Sequence, residues 1–244
     1  MLPVDEPPLT AELIRSRHQG VLRRLHAAAE AAGRDPDAVR VLAVTKGFGT
    51  AFIRQAATAG LARFGENRVQ EAIPKMAAAP DAEWHLIGRL QANKARPVVR
   101  GFAAIHSVDS LELLARLDRI AAEESRAPMA FLQVNVTGET SKAGFALDWF
   151  DEAARRRGSL SAAMEGLAAL RLAGLMTIGA AGAAPEESRR VFATLRRLRD
   201  DLQQLTGLPL PELSMGMTAD ADAAVAEGAT LVRIGTAIFG PRPA

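Results

Sequence analysis

The 244-residue sequence contains no cysteine and no tyrosine. Without cysteine, disulfide bonds, thiolate nucleophiles and cysteine-ligated zinc sites are excluded. No apolar run approaches the roughly 18 residues that a membrane helix needs. The first residues are acidic and proline-rich, and they lack the basic and then apolar order of a signal peptide. We therefore expect a cytoplasmic protein with no membrane partner.

Lysine is also scarce, because arginine supplies almost all of the positive charge. Only four of the 30 cationic residues are lysine: Lys46, Lys75, Lys94 and Lys142. The arginines are mixed with acidic residues and the formal net charge is only +2, so solvated helix faces explain them better than a nucleic-acid-binding surface. Arginine cannot act as an amine nucleophile, since its guanidinium stays protonated. Each lysine is therefore a candidate for such a role, with chance retention as the alternative.

Hydrophobic periodicity predicts one helix followed by alternating strands and helices. Thr10 is expected to cap the first helix, whose apolar face comprises Ile14, Val21, Leu25 and Ala28. Short apolar segments then predict eight strands: Val39–Val44, Ala62–Phe64, Trp84–Ile87, Ala104–Ile105, Met129–Val134, Leu172–Leu175, Leu213–Met215 and Leu231–Ile234.

This alternation favours an α/β protein with a (β/α)8 TIM barrel and an additional N-terminal helix. We expect a single domain over residues 1–244, with residues 1–9 as a loose N-terminal segment. A doubly wound open sheet is the alternative. It is weakened because no glycine-rich dinucleotide fingerprint follows the first strand.

Polar residues at three predicted strand ends could form a functional site, because barrels place such residues at the C-terminal ends of their strands. Lys46 follows the run Val41–Val44, while residues 214–218 and 233–236 follow the last two strands. The last two loops of a barrel commonly bind phosphate through glycine-rich backbone and hydroxyl groups. An amine opposite a phosphate site points to pyridoxal 5'-phosphate (PLP), held as a Schiff base on Lys46. The alternatives are that Lys46 points into solvent and that the glycines only form turns.

Longer motifs in the sequence resemble those of a known protein family. They are VLAVTK (41–46), FGENRVQE (64–71), WHLIGRLQANK (84–94), HSVDS (106–110), QVNVTGETSKAGF (133–145), LRLAGLM (170–176) and SMGMTADADAAVAEGATLVRIGTAIFG (214–240). In these motifs the chain resembles the YggS/PROSC-type PLP homeostasis proteins, whose barrel is similar to the N-terminal domain of alanine racemase. It departs from the family in reading TKGFG where SKTKP is frequent, and SMGMT where SMGMS is frequent.

The resemblance implies a set of cofactor-binding residues. Lys46 would be the PLP lysine, Asn67 would lie beside the ring, and Arg233 would face the pyridine nitrogen. The phosphate would be held by Thr218, Gly235 and Thr236, with Ser214 nearby. No spacing of ligand residues supports a metal site. His85 and His106, near strand ends, are expected to make structural hydrogen bonds.

The resemblance also implies a monomeric carrier or buffer in intracellular PLP homeostasis, without catalytic residues, that passes PLP transiently to apo forms of PLP enzymes. Lys142 is a candidate for a second amine during release. The alternative is a racemase-like PLP enzyme, but alanine racemase needs a tyrosine as its second base and this chain has none. A charged Arg233 would also keep the pyridine nitrogen unprotonated and weaken the electron sink. A PLP-independent phosphate-binding enzyme and a pure interaction protein are further alternatives.

Overall fold

A computed structural model of the chain describes residues 9–241, so almost all of the expected loose segment (1–9) lies outside the described residues. The predicted first helix is confirmed as α1 (Ala11–Ala31), and the Thr10 side chain accepts a hydrogen bond from the backbone N–H of Leu13. Its buried stripe contains Ala29, whereas the predicted Ala28 is half-buried. The apolar face therefore lies within one residue of the prediction.

Eight parallel strands form a closed barrel that confirms the predicted fold. The strands in chain order, including one short extra strand, are β1 (Arg40–Val44), β2 (Arg63–Glu66), β3 (Glu83–Leu86), β4 (Ala104–Val108), β5 (Met129–Asn135), β6 (Phe145–Ala146), β7 (Arg171–Met176), β8 (Glu212–Ser214) and β9 (Leu231–Ile234). Around the barrel the order is β1, β2, β3, β4, β5, β7, β8, β9, and β9 pairs with β1 to close the ring. The two-residue β6 pairs with the end of β5. The open-sheet alternative is wrong.

Helices connect the strands and cover the outside of the barrel. They are α2 (Thr50–Thr58), α3 (Val69–Ala78), α4 (Ala95–Gly101), α5 (Leu111–Glu123), α6 (Leu147–Arg155), α7 (Ser159–Glu165), α8 (Pro185–Thr206), α9 (Ala221–Ala226) and α10 (Thr236–Phe239), with 3-10 turns at Pro36–Ala38 and Ala92–Lys94. In residues 9–241, no helix combines the length and the apolar character needed to cross a membrane.

Two apolar layers hold this architecture together. The larger layer lies between strands and helices, where the stripe Phe192, Leu195, Leu198 and Leu202 of α8 is fully buried. A smaller cluster that includes Leu42, Phe131 and Met176 fills part of the barrel interior. Burial of this apolar surface drives folding, and the packed interior leaves the strand ends as the place for a ligand.

Candidate functional site

A cavity of about 330 Å³ lies at the C-terminal mouth of the barrel. Its volume is within the range of roughly 300–1,000 Å³ that small-molecule sites occupy. The lining residues lie at the ends of β1, β3, β8 and β9 and in the segments that follow them: Val44, Lys46, Phe48, Ile87, Met217, Thr218, Ala219, Arg233, Gly235, Thr236 and Gly240. Five of the seven predicted site residues therefore meet in one cavity: Lys46, Thr218, Arg233, Gly235 and Thr236.

Lys46 brings an unengaged amine to this cavity. It is half-buried, two residues past the end of β1. Within residues 9–241, its amine makes neither a hydrogen bond nor an ion pair. The Phe48 ring packs against Phe239 at 5.3 Å between centroids and forms an apolar wall next to the lysine. The amine is thus available to a ligand that enters the cavity.

A buried ion pair anchors the backbone immediately before Lys46. The Lys75 amine lies 2.6 Å from Glu66 Oε1 and donates to the backbone carbonyl of Thr45 at 2.9 Å. The Thr45 hydroxyl donates to the same Glu66 oxygen at 2.5 Å. Burial raises the pKa of Glu66, although the hydrogen bonds from Lys75 and Thr45 oppose this rise. Thr45 is therefore held by both its carbonyl and its hydroxyl, which fixes the end of β1 that carries Lys46.

Arg233 provides a fixed positive charge in the cavity. Its Nη1 donates to the carbonyl and to the hydroxyl of Ser214, both at 2.8 Å, and its Nη2 donates to the carbonyl of Thr177 at 2.8 Å. Burial lowers the pKa of the guanidinium to about 10, so the group stays protonated at neutral pH. Its Nε–H and second Nη2–H donate to no protein group in residues 9–241. These donors are left for an acceptor in the cavity.

The loops after β8 and β9 offer uncharged donors to the cavity. The hydroxyls of Thr218 and Thr236 have no hydrogen-bond partner in the described chain, and the same holds for the backbone N–H groups of Thr236 and Ala237. Gly216 shapes the loop that carries Thr218: its φ is +89°, and an added Cβ would lie 2.5 Å from the Cβ of Ala224. Hydroxyls and backbone N–H groups of this kind suit a phosphate group. The donor set therefore fits PLP at both ends.

The other two predicted site residues lie outside this cavity. Ser214 is fully buried behind Arg233 and reaches the cavity only through the guanidinium. Asn67 lines a neighbouring cavity of about 790 Å³, formed by the loops after β2, β3 and β4. Its Oδ1 is buried and has no hydrogen-bond partner within residues 9–241. Contact of Asn67 with a cofactor ring thus stays a prediction.

The two strand-end histidines are engaged as predicted. His85 Nδ1 lies 2.9 Å from His106 Nε2, and His106 Nδ1 lies 2.8 Å from the Ser214 hydroxyl. Across residues 9–241 no group of three or more His, Cys, Asp or Glu side chains is arranged to hold a metal ion. The structural hydrogen bonds expected for His85 and His106 are confirmed.

Lys142 has a structural role in its loop. Its amine contacts Glu139 Oε1 at 2.5 Å, Gly179 O at 2.9 Å and Thr137 Oγ1 at 3.2 Å. These contacts engage all three protons of the amine. Action as a second amine during release would require this loop to open.

Sequence reasoning missed the Glu66–Lys75 pair and the contacts that join Ser214 to His106 and His106 to His85. The scarcity of lysine drew attention to Lys75. The sequence did not indicate that Lys75 on α3 would pair with Glu66 at the end of β2. The apolar wall formed by Phe48 and Ile87 was also missed, because apolar residues next to strands are predicted as core.

Comparisons with known proteins extend this description. A family model described as "Alanine racemase, N-terminal domain" matches residues 21–243. A pyridoxal phosphate homeostasis protein from Pseudomonas aeruginosa is 45% identical over 224 residues, which is 91% of this chain and 93% of the relative. One from Synechocystis is 42% identical over 210 residues, which is 85% of this chain and 93% of the relative. The chain belongs to the family of pyridoxal phosphate homeostasis proteins.

Solved structures agree with this family. PipY from Synechococcus elongatus PCC7942, described as having PLP bound, matches with a TM-score of 0.76 and 42% identity over 90% of this chain and 100% of PipY. An alanine racemase from Clostridium difficile matches with a TM-score of 0.68 over 91% of this chain and 60% of the racemase. The racemase is only 14% identical, so its likeness concerns the fold alone. The resemblance drawn from the sequence motifs is confirmed.

The buried ion pair leads to a stability prediction. Lys75→Met leaves the Glu66 carboxylate buried without its cation, and we expect a loss of about 3–5 kcal/mol in the free energy of unfolding at pH 7. Lowering the pH should reduce this loss, because a protonated Glu66 no longer needs the cation. Urea unfolding measures both effects.

Arg155→Met is the matched control, since Arg155 pairs with Asp151 on the exposed surface of α6. Such pairs contribute about 0–1 kcal/mol. Equal losses for the two variants would contradict the structural role given to Lys75.

Proposed function

We propose that this chain binds PLP covalently through Lys46 and acts in intracellular PLP homeostasis as a carrier or buffer. The observation that carries the proposal is one cavity that holds an unengaged amine, a fixed guanidinium and a set of uncharged phosphate donors. Membership of the pyridoxal phosphate homeostasis family and the likeness to PLP-bound PipY support it.

Each lining residue has a proposed role. When bound, PLP supplies an aldehyde that an amine can attack and a ring that can accept electrons. Lys46 forms the covalent link, and Arg233 donates toward the pyridine nitrogen. The hydroxyls of Thr218 and Thr236, with the backbone at Gly235, hold the phosphate. Ser214 acts through Arg233, and Asn67 is assigned to the ring on the family resemblance alone.

The composition of the cavity favours a carrier over a racemase. Lys46 and Arg233 are its only titratable lining residues within the described chain, so no second base faces the cavity from the opposite side. The permanent charge of Arg233 also disfavours protonation of the pyridine nitrogen, which weakens the ring as an electron sink. Both features limit amino-acid catalysis while leaving PLP binding intact. We further propose that the protein works as a cytoplasmic monomer and passes PLP to apo enzymes.

The role of Lys46 can be tested by substitution. Lys46→Ala should abolish the visible absorbance of the lysine-linked cofactor without changing the fold, because this side chain lies at the rim of the barrel. Lys46→Arg should do the same, since a guanidinium cannot form the link. Lys94→Ala, at another half-buried lysine, should keep the absorbance. Retained absorbance in both Lys46 variants would contradict the assignment.

The phosphate donors can be tested with two ligands. Each hydroxyl bond to a charged acceptor contributes about 1.5–3 kcal/mol, so the double variant Thr218→Ala/Thr236→Ala should bind PLP at least a hundredfold more weakly. Its affinity for pyridoxal, which has no phosphate, should change little. Titration of both ligands measures this difference, and equal losses would show that these residues do not hold the phosphate.

A transfer assay distinguishes a carrier from an enzyme. PLP-loaded protein is mixed with the apo form of a PLP enzyme, and recovery of activity is compared with that given by an equal amount of free PLP. We expect recovery together with no substantial racemisation or transamination of common amino acids by the protein alone. Absence of transfer combined with robust amino-acid turnover would establish the racemase-like alternative instead.

A further inference from the structure

A row of buried polar side chains crosses the barrel interior behind Arg233. The guanidinium contacts the Ser214 hydroxyl at 2.8 Å, this hydroxyl contacts His106 Nδ1 at 2.8 Å, and His106 Nε2 contacts His85 Nδ1 at 2.9 Å. The four residues are at most 5% exposed. They come from β9, β8, β4 and β3, so the row links strands on opposite sides of the barrel.

The chemistry of these groups favours one order of protons. A guanidinium only donates, so the Ser214 oxygen accepts from Arg233. Among residues 9–241 the acceptor within reach of its single proton is His106 Nδ1. A His106 that accepts at Nδ1 and is neutral carries its proton on Nε2, which then donates to His85 Nδ1. His85 must in turn carry its proton on Nε2. Donation from Arg233, together with the need to pair the buried Ser214 proton, thus favours this direction for every hydrogen bond in the row.

We propose that Ser214, His106 and His85 form a hydrogen-bond relay of fixed proton order that holds the Arg233 guanidinium toward the cofactor. His106 and His85 are accordingly positioning residues of the PLP site. This inference rests on the proposed function for the identity of the ligand, whereas the proton order of the relay does not depend on it.

The surroundings of the histidines keep both rings neutral. Burial lowers the pKa of His106 well below its usual value, and the charge of Arg233 adds to this effect. The His106 ring stacks on Phe131 at 4.2 Å between centroids, which fixes its plane. Burial also lowers the pKa of His85, against a smaller opposing effect of Glu83.

The far end of the relay lies near the N-terminal end of β3. His85 Nε2 is buried and has no hydrogen-bond partner in the described chain, while Glu83 Oε2 lies 3.9 Å away. This distance exceeds that of a hydrogen bond, but a carboxylate there still favours a proton on Nε2. The acidic group at one end and the guanidinium at the other therefore support the same proton order.

The proton order is tested on the protein without cofactor. Long-range ¹H–¹⁵N NMR spectra distinguish the two imidazole tautomers, and the chain has only four histidines to assign. We expect the Nε2–H tautomer for His85 and His106 at neutral pH. An Nδ1–H tautomer or an imidazolium at His106 would overturn the relay, whether or not the protein binds PLP.

The positioning role is tested by PLP titration of variants. Ser214→Ala and His106→Phe remove links of the relay, and the phenyl ring keeps the volume and the stacking of His106. Ser214→Ala should weaken PLP binding about tenfold, the effect of one hydrogen bond to a charged group. His106→Phe should weaken it by a smaller factor, because it removes a bond between two neutral groups. His106→Asn, which keeps an acceptor for the Ser214 hydroxyl, should restore most of the affinity lost in His106→Phe.

Ser107→Ala is the matched control. Ser107 is the neighbour of His106 on β4, is equally buried, and its hydroxyl has no partner within residues 9–241. The PLP affinity of the Ser107→Ala variant should equal that of the unaltered protein. Unchanged affinity in Ser214→Ala and His106→Phe, or equal losses in the asparagine and phenylalanine variants, would contradict positioning through the relay. Failure of the unaltered protein to bind PLP would contradict the proposed function, while the NMR result would still decide the proton order.

Discussion

The Arg233 guanidinium is the group on which the geometry of the site depends. It donates to Ser214 and to the Thr177 carbonyl, and so joins the C-terminal ends of three neighbouring strands, β7, β8 and β9. Hydrogen bonds to a buried charge offset part of the cost of removing it from water. The bonds of Arg233 to Ser214 and Thr177 therefore fix the edge of the cavity at the ends of β7, β8 and β9.

The lysines show how charge is divided between structure and function. Lys75 is buried against Glu66, and Lys142 is tied to the loop at Gly179. Within the described residues, Lys46 is the one lysine that lines the cavity around Arg233 at the barrel mouth, and its amine is unengaged. The ion pair of Lys75 supports the backbone of Thr45 next to Lys46, so one lysine contributes to positioning another.

Much of the fold could be predicted from the sequence, because buried parallel strands are short apolar runs with polar residues at their ends. The eight barrel strands lie close to their predicted positions, and within residues 9–241 the two-residue β6 is the one strand that was missed. The motifs at strand ends also predicted the residues around Lys46. The contacts of Glu66 with Lys75, and of His106 with Ser214, could not be predicted. They depend on side-chain directions across a closed barrel, which linear spacing does not encode.

The covalent link to Lys46 is the central claim, and reduction with borohydride tests it most directly. Reduction converts a reversible link between an amine and PLP into a stable one, and mass spectrometry of the peptides then locates it. We predict modification at Lys46 alone among the four lysines. Modification at Lys75, Lys94 or Lys142 in place of Lys46, or no modification of PLP-treated protein, would contradict the account.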